Sequence, residues 1–164
     1  MKRLRTTSMI AALCSFGLAV AATAVHAADD NKLSIPVAFG RGLNIAANLP
    51  DNQIMIPDTV RLKQDGVVHF LVAGFHEVAI YNPGKTTDDV AVRAGETFIN
   101  DANNRFYKGI VPAGGPLVTA PTIDPSNARN RLESVAFPQP GTYLVICNIR
   151  THFENGMFGY VEVK

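Results

Sequence analysis

The stretch Cys147-Asn148-Ile149-Arg150-Thr151-His152-Phe153-Glu154-Asn155-Gly156-Met157 decides the reading of this chain, because it spaces a thiol, an imidazole and a thioether five residues apart. Cys and Met are soft ligands suited to Cu(I), imidazole suits both copper oxidation states, and His2Cys with a weak axial Met is the set found in blue-copper centres. One strong ligand is missing from the stretch. The sequence offers His76, in Gly74-Phe75-His76-Glu77-Val78-Ala79-Ile80-Tyr81.

Working outward, β signals dominate. Ile54-Met55-Ile56, Val60-Arg61-Leu62, Val67 to Val72, Val78 to Tyr81, Leu132 to Phe137, Thr142 to Cys147 and Phe158 to Val163 read as strands. Turn signals such as Lys63-Gln64-Asp65-Gly66, Tyr81-Asn82-Pro83-Gly84 and Phe137-Pro138-Gln139-Pro140-Gly141 separate them. Short strands at this spacing predict an all-β sandwich. Strand parity groups Met157 with Val161 and Val163, and His76 with Val78 and Ile80, so both ligands are expected on the core side. Glu77 shares parity with Tyr81 and is expected nearer solvent. His69 alternates against Val68, Phe70 and Val72 and reads as an outward or rim residue. The segment from Lys85 to Asn130 is too long for one structureless loop. A short strand over Val90 to Arg93 and a short helix over Thr97 to Phe106 are expected, followed by a Pro-rich excursion from Ile110 to Pro125.

The whole pattern resembles the cupredoxins, the β-sandwich family that includes plastocyanin, azurin, pseudoazurin and rusticyanin. The resemblance rests on an isolated His opening a β-rich segment, on Pro140-Gly141-Thr142-Tyr143 leading a strand into Cys147, on His152 and Gly156-Met157, and on Phe158-Gly159-Tyr160-Val161-Glu162-Val163. It covers roughly residues 54 to 82 and 131 to 164. It implies a Greek-key β-sandwich with an insertion between the strand of the first His ligand and the Cys-His-Met loop. It implies one mononuclear type 1 copper centre, with His76, Cys147 and His152 as strong ligands and Met157 as the weak axial one. The implied activity is one-electron transfer by Cu(I)/Cu(II) cycling. Redox proteins are the implied partners, docking at an apolar patch around His152 with Phe153 and Phe158 as candidate neighbours. In plastocyanin- and azurin-like members an Asn commonly follows the first ligand His and ties the ligand loops together; here that residue is Glu77. The departure also admits a carboxylate-ligated red-copper variant, as in nitrosocyanin, although that family replaces the axial Met.

The first 27 residues read as a secretory signal peptide. Lys2-Arg3-Leu4-Arg5 is a basic start, Met9 to Ala22 is apolar without charge, and Val25-His26-Ala27 places small residues for cleavage after Ala27. A single domain of residues 28–164 is expected to follow, periplasmic or otherwise exported. Leu13 before Cys14 argues against a lipoprotein anchor. No other apolar run approaches the ~20 residues needed to span a bilayer. Loss of Lys2, Arg3 and Arg5 leaves 12 basic against 14 acidic residues, which does not favour nucleic acid, and a monomer is expected.

After cleavage Cys147 is the only cysteine, so no intramolecular disulfide can form in an oxidising compartment. A lone exported thiol needs protection or use, and metal thiolate binding provides both. Only three histidines remain. In multicopper oxidases a His of the trinuclear cluster follows the Cys, whereas Asn148 stands here, and the count leaves only His69 for any further centre. The chain is therefore expected to carry an electron without being an enzyme. A copper storage or delivery module is the rival reading, against which stand the four-ligand set and a mature region holding only Met55 and Met157.

Overall fold

A computed structural model describes residues 32–40, 53–112 and 128–164. The expected signal segment and most of the Pro-rich excursion lie outside the described residues. Two mixed sheets face one another. The first has the order β2-β1-β4-β7, from Met55–Ile56 (β2), Ser34–Gly40 (β1), Gly66–Ala73 (β4) and Asn130–Phe137 (β7). The second has the order β3-β9-β8-β5-β6. Its strands are Thr59–Leu62 (β3), Phe158–Val163 (β9), Gly141–Cys147 (β8), Val78–Tyr81 (β5) and Arg105–Lys108 (β6). β1 runs parallel to β4 and β3 parallel to β9; the other pairings are antiparallel.

Period-two alternation explains how the sheets meet. β4 turns Val68, Phe70 and Val72 inward and leaves Val67, His69 and Leu71 half-buried on the other face. β7 sends Val135 and Phe137 inward with Ser134 and Ala136 exposed. From the facing sheet Val78, Ile80, Tyr143, Val145, Val161 and Val163 complete the main core. Each such aliphatic or aromatic side chain contributes about 1.5–3 kcal/mol by leaving water. Of the eight strands expected from sequence, all but Val90 to Arg93 are present, and His69 sits on the outer face as predicted, with Nδ1 2.7 Å from Ser134 Oγ.

The second sheet is covered on both faces, which the alternation rule did not anticipate. Ala79, Tyr81, Leu144 and Ile146 point away from the sandwich interior, yet they form a second buried cluster with Ile99, flanked by Val90, Phe153, Phe158 and Tyr160. The segment after β5 supplies this cover. Val90 to Arg93 is not a strand, and Thr97 to Phe106 is not a helix but a single turn at Ala102–Asn104 running into β6. Gly95, Asn100, Asp101, Asn103 and Asn104 are poor helix formers, whereas β6 pairs with β5 along that sheet's edge. β1 also escaped the sequence reading, since Pro36 interrupts its alternation. Val37 and Phe39 nevertheless fill the core.

Candidate metal centre

Three separate segments deliver the donor atoms to one end of the sandwich. Cys147 is the last residue of β8, pointing inward in phase with Tyr143 and Val145. The chain then enters the short helix α1 (Arg150–Glu154), which carries His152 back over the strand ends. His76 lies in the connection between β4 and β5. All three are buried, His152 being 6% exposed and the other two fully enclosed. Met157 is fully buried as well. Its N–H donates to the His152 carbonyl at 2.9 Å, and its own carbonyl accepts the Cys147 N–H at 3.0 Å. The Cys-His-Met stretch thus closes on itself as a compact turn.

The donor atoms converge. His76 Nδ1 and His152 Nδ1 are 3.1 Å apart, and Cys147 Sγ lies 3.8 Å from the first and 3.6 Å from the second. A point equidistant from three atoms so separated is about 2 Å from each, close to metal–nitrogen and short metal–sulfur bond lengths. Among the described residues, the cluster of metal-ligating donors within 4.8 Å of one another consists of His76, Cys147 and His152. Neither Glu77 nor His69 joins it.

Burial pushes the Cys147 thiol up to about 12, while backbone N–H groups of Glu77 and Ile149 oppose this by favouring the thiolate. A cation at the cluster would favour the thiolate further, as a coordinating metal does. A thiolate and two imidazoles suit copper or zinc, and the buried thioether beside them selects copper. The residues present therefore fit one mononuclear copper centre.

Several supports were missed by sequence reasoning. Gly40, at φ +80°, ends β1 directly against the His76 ring, and Phe39 meets that ring edge-on with centroids 6.1 Å apart. Arg131, held by Glu133 in a buried ion pair, donates to the His76 carbonyl at 3.0 Å. Ile99 N–H donates to the Asn148 carbonyl, and Arg150 N–H to that of Thr97, each at 2.9 Å. The insertion is thereby tied to the ligand stretch.

Glu77 requires a correction. Parity placed it nearer solvent, but it is fully buried because the insertion covers that face. Its Oε2 accepts a hydrogen bond from Asn148 Nδ2 at 3.0 Å, and Lys108 Nζ lies 3.7 Å from Oε1. Phe153 and Phe158 are half-buried, 6.0 Å apart between centroids, and pack on the second cluster.

No family model and no curated protein matches the chain. Among solved structures it is similar to reduced auracyanin from the photosynthetic bacterium Roseiflexus castenholzii, at 21% identity over 82% of this chain and 98% of that one, with a TM-score of 0.47. It is also similar to a pseudoazurin from Sinorhizobium, at 19% identity, 80% and 73% coverage and a TM-score of 0.44. Oxidised plastocyanin from Dryopteris crassirhizoma gives 17%, 79% and 99%, with 0.40. The two-sheet sandwich and the His-Cys-His-Met cluster are themselves consistent with a cupredoxin. No helix among the described residues is long and apolar enough to cross a membrane.

Proposed function

We propose that this protein is an exported one-electron carrier of the cupredoxin type, with His76, Cys147 and His152 as strong ligands to one copper ion and Met157 as the weak axial ligand. The observation that carries the reading is the convergence of two Nδ1 atoms and one Sγ within 3.1 to 3.8 Å of each other, all buried. Copper, when bound, supplies reversible exchange of a single electron between its +1 and +2 states.

The chain's contribution is to hold the donors still, since the two oxidation states prefer different geometries and a fixed set lowers the rearrangement between them. Cys147 is anchored in β8, His152 is fixed by α1, and His76 is clamped between Gly40 and Arg131. Burial excludes water from the thiol. Residues 28–164 form one domain in this reading, following a signal peptide cleaved after Ala27. The partners are redox proteins that approach at the His152 end.

The storage or delivery alternative calls for a labile, accessible site. Full burial of Cys147, His76 and Met157 favours retention of the metal over its transfer. The deciding experiment is to load the protein of residues 28–164 with Cu(II), record visible absorption and electron paramagnetic resonance spectra, then reduce with ascorbate and reoxidise. An intense thiolate-to-copper band with narrow hyperfine splitting, bleaching and returning reversibly, is expected. Tetragonal copper signals, or loss of metal on reduction, would overturn the carrier assignment.

A further inference from the structure

A continuous polar chain runs through the otherwise apolar wall beside the donor cluster. The Tyr81 hydroxyl donates to the Asp101 carboxylate. The Arg105 guanidinium pairs with that carboxylate at 2.7 Å and donates to Asn148 Oδ1, also at 2.7 Å. Asn148 Nδ2 donates to Glu77 Oε2, and Lys108 approaches the other carboxylate oxygen. The order fixes the orientation of Asn148. Arg105 has only donors to offer, so the amide oxygen must face it and the amide nitrogen must face Glu77.

Glu77 and Asn148 each stand next to a donor residue, His76 and Cys147 respectively. Their backbones are joined as well, since Asn148 N–H donates to the Glu77 carbonyl at 2.7 Å. The side-chain bond therefore closes a second link between the two donor-bearing segments. Its acceptor is a fully buried carboxylate whose cationic partner, Lys108, has a side chain 54% exposed. The pair thus places the negative member beside the donors and the positive member at the surface.

The resemblance already implies that the residue after the first ligand His ties the ligand loops together. Resting on the copper reading above, we propose that Glu77 fills that place as a lock on the His76 and Cys147 segments through Asn148 and that, beyond that role, the Glu77–Lys108 pair sets the reduction potential of the centre. A buried anion favours the higher charge state of a metal nearby and lowers its potential, and a cation acts oppositely, more strongly than across water because the local dielectric is low. Removing either charge therefore has an effect of opposite sign. The exposed member gives molecules at the surface electrostatic access to the centre.

The test uses Glu77→Gln, Lys108→Gln, the double variant and Glu77→Ala in the protein of residues 28–164, with redox titration of the copper-loaded forms. Glu77→Gln keeps an acceptor for Asn148 and is expected to retain the thiolate band while raising the potential. Lys108→Gln is expected to lower it, with the double variant lying between the two. In the metal-free protein the Asn148 side-chain amide protons are expected to exchange slowly with solvent, at least tenfold more slowly than in Glu77→Ala. Shifts of the same sign for the two single variants, or no shift, would overturn the charge assignment; amide exchange at the rate of an exposed Asn would overturn the lock. If the unsubstituted protein gives no thiolate band, the copper reading and the potential assignment fall, and amide exchange still decides the lock.

Discussion

Gly40 lies against the imidazole of His76 so closely that a β-carbon at position 40 would overlap Cδ2 and Nε2 of the ring. The backbone at Gly40 has φ +80°, where an L side chain is strained. Gly40→Ala should therefore cost about 1–2 kcal/mol in backbone strain and also displace the ring whose Nδ1 faces Cys147. The expected outcome is a lower unfolding midpoint together with weaker copper retention and broader hyperfine splitting. A spectrum unchanged from the parent would show that Gly40 does not hold the ring.

Cys147 and Met157 are both buried, but their substitution should separate colour from retention. Cys147→Ser removes the soft donor and should abolish the thiolate-to-copper band; persistence of colour would sink the central assignment. Met157→Leu is a volume-conserving change in a packed position and should cost under about 1.5 kcal/mol. It should keep copper while altering the potential and the absorption envelope. Visible spectra and a redox titration of the two variants check both statements.

The strands and the Cys147-His152-Met157 spacing were legible because both are local patterns. Val78 to Tyr81 and Phe158 to Val163 match their observed strands end to end, and the spacing of Cys147, His152 and Met157 reflects one compact turn. What the pattern could not carry was the cover on the second sheet. Glu77, Ala79 and Tyr81 alternate as a solvent-facing row would, and only the return of Ile99 and Arg105 from a Gly- and Asn-rich segment buries them. The uninterrupted apolar run Leu144-Val145-Ile146 was the available signal, since a strand buried on both faces loses its alternation. The supports of His76 were illegible for a different reason: Gly40 and Arg131 reach it from distant parts of the chain, with no local signature.

Arg131 and Glu133 form a buried ion pair two residues apart on β7, with side chains 8% and 3% exposed. Glu133 also accepts from the Tyr107 hydroxyl at 2.8 Å. Removing one member leaves a buried charge uncompensated, so Glu133→Ala should destabilise the fold by about 3–5 kcal/mol. The double substitution Arg131→Met with Glu133→Leu removes both charges and should recover much of that loss. Urea unfolding of the metal-free proteins measures both. Because Arg131 also donates to the His76 carbonyl, the double variant should regain stability without fully regaining copper affinity. Recovery of both would assign Arg131 no part in holding His76.

Alkaline pH should expose the polar chains from the other direction. Burial first, and then the hydrogen bond to Glu133, push Tyr107 up to about 12. Burial and the Asp101 carboxylate hold Tyr81 well above its ordinary value. A phenol whose proton is held more tightly in the fold than in the unfolded chain contributes stability that is fully present below about pH 10. That contribution is lost as pH rises through the folded value. The fold should therefore weaken progressively between about pH 10 and pH 12. Phenolate absorbance should appear at higher pH in the folded protein than in the protein unfolded by urea. Tyr107→Phe should lower stability at neutral pH by the loss of its hydrogen bond, about 1 kcal/mol, and should flatten the decline above pH 10. An equally steep decline in that variant would place the alkaline sensitivity elsewhere.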